Sequence, residues 1–249
     1  MKSRRNFLRV AALAAAGWLP SRVLAQSTLE ALPFSSLPAG AALPGWLRPQ
    51  AFVNRPRPTE FSLVEDGGQT VLRARAHASA SGLVRELRVD PAAFPFLAWR
   101  WKVMNLIDKA DLARKAGDDF PARLYVSFDL DVDKLSAVDR FAIGLARMRF
   151  GPQVPVAVLC YVWDGKAPAG TFAANAYTGR VHMIVAESGA THLGQWVSHE
   201  RDIAQDFKRA FGIEAPAVTG VIVSSDTDDT GESTEAYFGD VEFRARATP

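Results

Sequence analysis

The sequence predicts an all-β fold, an antiparallel two-sheet sandwich of jelly-roll type with two short helices, and three observations carry that reading. Beyond residue 58 apolar and polar residues alternate with period two through most of the chain. Helical spacing is confined to residues 138–150 and 199–211. These two stretches do not alternate with strands in the regular way that a parallel α/β fold requires.

Residues 1–25 stand apart from the rest. They hold Lys2, Arg4, Arg5, Arg9 and Arg22 and no acid, leaving 24 basic against 27 acidic side chains in the remainder. The basic excess thus belongs to a removable segment, and a nucleic-acid partner loses its electrostatic basis. A basic start leads into an apolar stretch from Val10 to Leu19 and then Val23-Leu24-Ala25. The stretch is half of the roughly 20 residues a membrane span needs, so it predicts a cleaved secretory signal and no membrane anchor after cleavage. Ser3-Arg4-Arg5-Asn6-Phe7-Leu8-Arg9 resembles the twin-arginine export consensus, which implies the twin-arginine export machinery as a partner and a periplasmic destination. Residues 26–249 then form one β-sandwich domain, folded before export, and a single cysteine, Cys160, excludes an internal disulfide.

Along that domain, six prolines between Gln26 and Pro58 forbid a helix, while Phe34, Leu37, Trp46, Leu47 and Phe52 make the stretch too apolar for a free linker. It is expected to lie along the domain as an irregular strand. Residues 61–64 then pair as a hairpin with the alternating stretch between Asp66-Gly67-Gly68 and Ser79. In the second of these, Val71, Arg73, Arg75 and His77 share one side. In 96–104, Leu97, Trp99, Trp101 and Val103 face the core and Arg100 and Lys102 face away; in 123–131, Leu124, Val126, Phe128 and Leu130 oppose Arg123, Tyr125, Ser127, Asp129 and Asp131. Further strands are expected over 156–163, 181–186, 218–225 and 236–243, about eight to ten in all. Cys160 sits in an apolar strand as a packed thiol. The helix over 199–211 ends at Gly212, a left-handed C-terminal residue by type.

Several segments together resemble the bacterial domain of unknown function 3047 family. They are Gly45-Trp46, the run from Ala98 to Val103, the run from Gly117 to Val126, Tyr161-Val162-Trp163, Glu200-Arg201-Asp202-Ile203 with Asp206 to Gly212, and Ser225 to Glu232 followed by Tyr237 to Val241. The resemblance spans the mature chain and implies no activity. Its layout, an opening Gly-Trp and a closing Asp240-Val241-Glu242-Phe243, is similar to galactose-binding-like jelly rolls of carbohydrate-binding modules, an analogy of fold only.

Three groups of residues are candidates for chemistry. Asp226 and Asp228, in an Asp-x-Asp loop with Gly231 downstream, have the oxygen donors of a structural Ca²⁺ site, though Thr230 and Tyr237 depart from the EF-hand pattern; a solvated strand-ending loop is the alternative, and no other cofactor is expected. Asp118 and Asp119 beside Arg123 are either an acid/base pair or partners of Arg123 or Arg201. Arg73, Arg75, Arg100, Lys102, Arg123 and Tyr125 are expected on one polar sheet face able to grip a carboxylated sugar, unless Glu86, Asp129 or Glu242 neutralise it across strands. Trp46 and Trp196 are candidates for stacking on a sugar, whereas Trp99, Trp101 and Trp163 read as core. His182, His192 and His199 lack short metal-ligand spacing. The expected function is a periplasmic protein binding a glycan or anionic small molecule without turnover. The first alternative is a hydrolase or lyase of acidic polysaccharide, with Tyr125 or His77 transferring the proton and Arg100 or Arg123 neutralising the substrate. The second is an accessory protein of an envelope complex.

Overall fold

The alternating segments pair into two stacked sheets in a computed structural model that describes residues 28–51, 57–135, 137, 140, 141, 143, 144 and 156–245. The signal segment expected over 1–25 and most of the helix expected over 138–150 lie outside these residues.

Sheet A has six strands: β1 (Thr28–Leu32), β3 (Glu60–Asp66), β4 (Gln69–His77), β6 (Phe96–Val103), β11 (Val197–Asp202) and β13 (Ser233–Arg244). Their order is β11-β6-β13-β4-β3, with β1 pairing the last part of β13. Sheet B has seven: β2 (Arg48–Ala51), β5 (Ala80–Val89), β7 (Arg123–Phe128), β8 (Ala157–Asp164), β9 (Phe172–Ala174), β10 (Val181–Ser188) and β12 (Val218–Asp226). Their order is β2-β5-β12-β7-β8-β10-β9. The expected sandwich is present, with three differences of detail.

There are more strands than alternation alone displays. The extra ones are β5, which opens on Ala80-Ser81-Gly82, the three-residue β9, and β11, whose Ser198, Glu200 and Asp202 make it an edge. One pairing, β8 with β10, is parallel, because the intervening chain returns to the starting end of β8 through residues 165–180 and the short strand β9. The expected helix over 199–211 also starts later. Residues 197–202 pair with β6, and only Ile203–Phe211 is helical, labelled α1, capped by Asp202, whose carboxylate accepts from the Gln205 N–H, and closed by Gly212 at φ 73°.

The core between the sheets follows the alternation. Leu72, Leu97, Trp99, Trp101, Phe238, Val241 and Phe243 of sheet A meet Leu124, Val126, Leu159, Tyr161, Trp163, Val221 and Val223 of sheet B. The proline-rich start belongs to the domain: β1 pairs β13, β2 pairs β5, and Phe34 between them is fully buried.

The far side of sheet B is not the wet face that its polar positions suggest. Phe120, Cys160, Val162, Met183 and Val185 form a second small core there, with Leu112 and Tyr125 packed against it. The long excursion between β6 and β7 supplies Leu112 and Phe120, and so buries residues that would otherwise meet water.

Candidate functional site

On the outer face of sheet A, strand register places Ser62, Arg73, Tyr237 and Lys102 in one cross-strand row. Trp196, just before β11, extends it, since Val197 pairs with Trp101. The Lys102 ammonium lies 4.5 Å above the Tyr237 ring and 5.3 Å from the Trp196 ring, and the Arg100 guanidinium lies 4.5 Å above Trp196. Arg100 can lie this low because position 239 is glycine: a Cβ there would stand 2.5 Å from the Arg100 Cγ.

The tip of the β3–β4 hairpin braces the row. Asp66 accepts from Lys102 Nζ at 2.7 Å and from Trp196 Nε1 at 2.7 Å, while Gln69 accepts from Arg100. The hydrogen bond from Lys102 holds the Asp66 carboxyl below its ordinary range, against some burial. One row further on, Arg75 pairs with Glu235. Burial works to raise the Glu235 carboxyl, but Tyr237 and Arg75 hold it below its usual value. Arg73 and Arg100 differ from their neighbours: the Arg73 side chain donates to the Ser62 hydroxyl at 3.1 Å and Arg100 to an amide, and neither forms an ion pair among the described residues.

Concavities lie on either side of the row, along the strand direction. A cavity of about 480 Å³ where β4 ends and β13 begins is lined by Arg57, Arg75, His77, Asn105, Ser233 and Glu235 among others. A second, of about 410 Å³, lies over Ala98 between Arg100, Ser198, Glu200, Asp240 and Arg244.

Arg123 and Tyr125 lie elsewhere, and the expectation of one shared face for all six residues is corrected. Arg73, Arg75, Arg100 and Lys102 are on sheet A, whereas β7 belongs to sheet B and points Arg123 and Tyr125 away from sheet A. Arg123 is only 2% exposed and is enclosed by carboxylates, with Nε 2.8 Å from Asp226 Oδ1, Nη2 2.7 Å from Asp226 Oδ2 and Nη1 3.3 Å from Asp118. Burial works against its charge, yet Asp118 and Asp226 hold its pKa well above the ordinary value. Burial likewise lifts Tyr125 far above the usual phenol range, and Cys160 with it. Parity along β7 assigned the side correctly; what it could not show is that the excursion carrying Phe120 covers that side.

The acidic loop also divides differently. Asp226 is committed to Arg123 and to the Phe120 N–H, and burial raises its carboxyl to about 7 against the pull of Arg123, with Asp119 and Asp118 adding to the rise. Asp228 instead groups with Asp119 and Asp229, their carboxylates offering oxygens within 4.8 Å of one another. Asp119, fully buried, accepts from the Thr230 N–H at 2.6 Å and the Asp229 N–H at 3.4 Å, which pins the loop. Asp118 thus braces Arg123, one of the pairings expected, whereas Asp119 holds the backbone of the acidic loop instead of an arginine, and Arg201 pairs with Asp206. Of the stacking candidates, Trp196 lies under Arg100, and Trp46 is 36% exposed beneath Arg85.

Tyr237, Asp66 and Gln69 are the site residues that sequence reasoning missed. Tyr237 stood inside an apolar strand, and its outward parity between Ala236 and Phe238 was the available signal.

A family model described as "Protein of unknown function (DUF3047)" matches residues 44–242. Among solved structures, the family 30 carbohydrate-binding module of a cellulosomal cellulase, Cel9D-Cel44B of Clostridium thermocellum, is 11% identical, with 88% of this chain and 99% of that one covered, at a TM-score of 0.36. The glycoside hydrolase domain of Endo-D from Streptococcus pneumoniae R6 is 8% identical over 82% of this chain and 22% of that one, at a TM-score of 0.34. None of the curated proteins compared matches the chain.

Proposed function

The chain belongs to the DUF3047 family of proteins of unknown function, and from that premise we propose that it is an exported protein whose sheet A outer face binds an anionic glycan without turning it over. One observation carries the reading: Arg73 and Arg100, on the same face as Tyr237 and Trp196, are held by a hydroxyl and an amide where their neighbours are held by carboxylates. A guanidinium paired with a neutral group keeps its charge for an incoming carboxylate, which it can meet with two parallel hydrogen bonds. The aromatic edges on the same face offer apolar surface to the C–H faces of a sugar. The concavities on either side of the row give an extended ligand that crosses it room in both directions.

Turnover gains less support. Tyr125 is enclosed on the other sheet with a raised pKa, and His77 and Arg100 stand at opposite ends of the sheet A face. Export to the periplasm by the twin-arginine route, with cleavage before Gln26, is part of the same proposal and rests on Ser3 to Arg9 and the apolar stretch behind them. Titration with uronic-acid and neutral oligosaccharides at low and high salt tests it. Binding of the acidic set that weakens with salt is expected, and equal binding of neutral sugars, or none of either, would overturn it.

A further inference from the structure

The polar face of sheet A continues past the row. Along β4 the outward positions run Arg73, Arg75 and His77, and their partners on β13 are Tyr237, Glu235 and Ser233. Outward residues on one strand stand about 7 Å apart, so His77 lies about 14 Å beyond Arg73. The cavity of about 480 Å³ occupies this far end of the face, and its lining includes a cation from outside the strands, Arg57.

Arg57 is held in place with little of its hydrogen-bonding capacity spent. Its neighbours in sequence are Pro56 and Pro58, and a residue before proline is confined to extended backbone. The Arg57 carbonyl accepts from the Ala80 N–H at 3.1 Å, which ties it to the start of β5. Its side chain is exposed and makes one long hydrogen bond, from Nη1 to the His77 carbonyl at 3.4 Å, with no ion pair among the described residues. The carboxylates of the lining gather around Arg75 instead: Glu235 pairs with it from β13, and Glu60 stands opposite it on β3. One guanidinium thus serves two acids while the other keeps its charge.

The walls are fixed as well. The Asn105 side chain donates to the Ser233 carbonyl at 2.8 Å and accepts from the Glu235 N–H at 3.4 Å, and the Ser233 hydroxyl is hydrogen-bonded to His77 Nδ1. Just past His77, Ala78 takes φ 43°, a left-handed value uncommon outside glycine, and its N–H donates to the Glu232 carbonyl at 3.0 Å. Backbone held in such conformations gathers at binding sites.

We propose that this cavity is a second acid subsite, in which Arg57 meets a carboxylate of the ligand while Ser233, His77 and Glu60 meet its hydroxyls. A planar guanidinium can take a carboxylate through two parallel hydrogen bonds. The subsite rests on the binding of an anionic glycan to the sheet A face and specifies that ligand further: it is a polymer with acids along its length, lying parallel to the strands from the row to the β4–β13 end, and not a single acidic sugar. Linking two contacts in one chain makes the second intramolecular, so affinity rises with chain length.

Calorimetric titration of a uronic-acid disaccharide and hexasaccharide into the wild type, Arg57→Ala and Arg88→Ala tests the subsite. The wild type should bind the hexasaccharide at least about tenfold more tightly than the disaccharide. Arg57→Ala should weaken the hexasaccharide at least about tenfold, the value of one charged hydrogen-bonded contact, and leave the disaccharide and the melting temperature unchanged. Arg88→Ala removes an exposed guanidinium from sheet B and should alter neither affinity, which separates a local contact from the effect of net charge. A hexasaccharide that binds the wild type and Arg57→Ala alike, an equal loss in Arg88→Ala, or equal affinity for the two lengths would overturn the subsite and leave the row as the binding face. No binding of either oligosaccharide to the wild type would overturn both.

Discussion

Arg123 and Asp226 form a two-point ion pair inside the protein, Nε to Oδ1 at 2.8 Å and Nη2 to Oδ2 at 2.7 Å, joining the start of β7 to the end of β12. Asp118 approaches the same guanidinium, and the Phe120 N–H bonds the same carboxylate, so the pair ties the excursion over sheet B to the sheet beneath it.

Arg123→Met should therefore destabilise the fold by about 3–5 kcal/mol at neutral pH, because it leaves Asp118 and Asp226 buried without their cation. The deficit should shrink towards pH 5, where Asp226, whose carboxyl burial raises to about 7, takes up a proton. Denaturant unfolding at both pH values checks this; a loss below about 1 kcal/mol would place Arg123 on an exposed surface, where single substitutions cost little.

How much of this was legible in the sequence follows from what period two encodes. It separates the two sides of each strand, so Trp99, Trp101, Leu124 and Val126 fell in the core and Arg100 and Lys102 outside it. It says nothing of which sheet a strand joins or what later covers its outer side. Arg100 and Arg123 therefore looked equivalent, although one lies open on sheet A and the other is sealed beneath Phe120. Strands without alternation, β5 with its Gly82 packed against Ile222 and β9 with three residues, left no periodic signal.

Acid should act in two windows. The folded-state pKa of His199 is lowered by burial, so below about 6.5 the unfolded chain binds more protons there and stability falls as pH drops towards the folded value. Asp66 and Glu235, also lowered, contribute stability that is lost at lower pH, as each is protonated through its folded pKa. Asp226, raised to about 7, works the other way and gains stability as pH falls below that value. The His199 step is therefore read as the difference in melting temperature between wild type and His199→Asn across pH 3–8, and Asp66→Asn should diminish only the loss at lower pH.

Cys160 is fully buried in the small core of sheet B with no disulfide, and burial raises its thiol pKa. Cys160→Ala should cost about 1–2 kcal/mol of packing and leave the fold intact. The melting temperature of the wild type should not change with reductant; a sharp fall would reveal a bridge between molecules.

Replacing Arg4 and Arg5 together by lysine should retain the precursor in the cytoplasm, since the receptor reads guanidinium groups and not charge alone. Fractionation with mass spectrometry of the mature N-terminus checks both export and cleavage before Gln26. Undiminished periplasmic yield would remove the twin-arginine route.

The proposal that sheet A binds an anionic glycan is tested most directly by calorimetric titration of a uronic-acid hexasaccharide into the wild type and an Arg73→Ala/Arg100→Ala variant. Each guanidinium–carboxylate contact is worth about 1.5–3 kcal/mol, so the double variant should bind at least about a hundredfold more weakly with its melting temperature little changed. A variant that binds the hexasaccharide as tightly as the wild type would contradict the assignment of the ligand to this face.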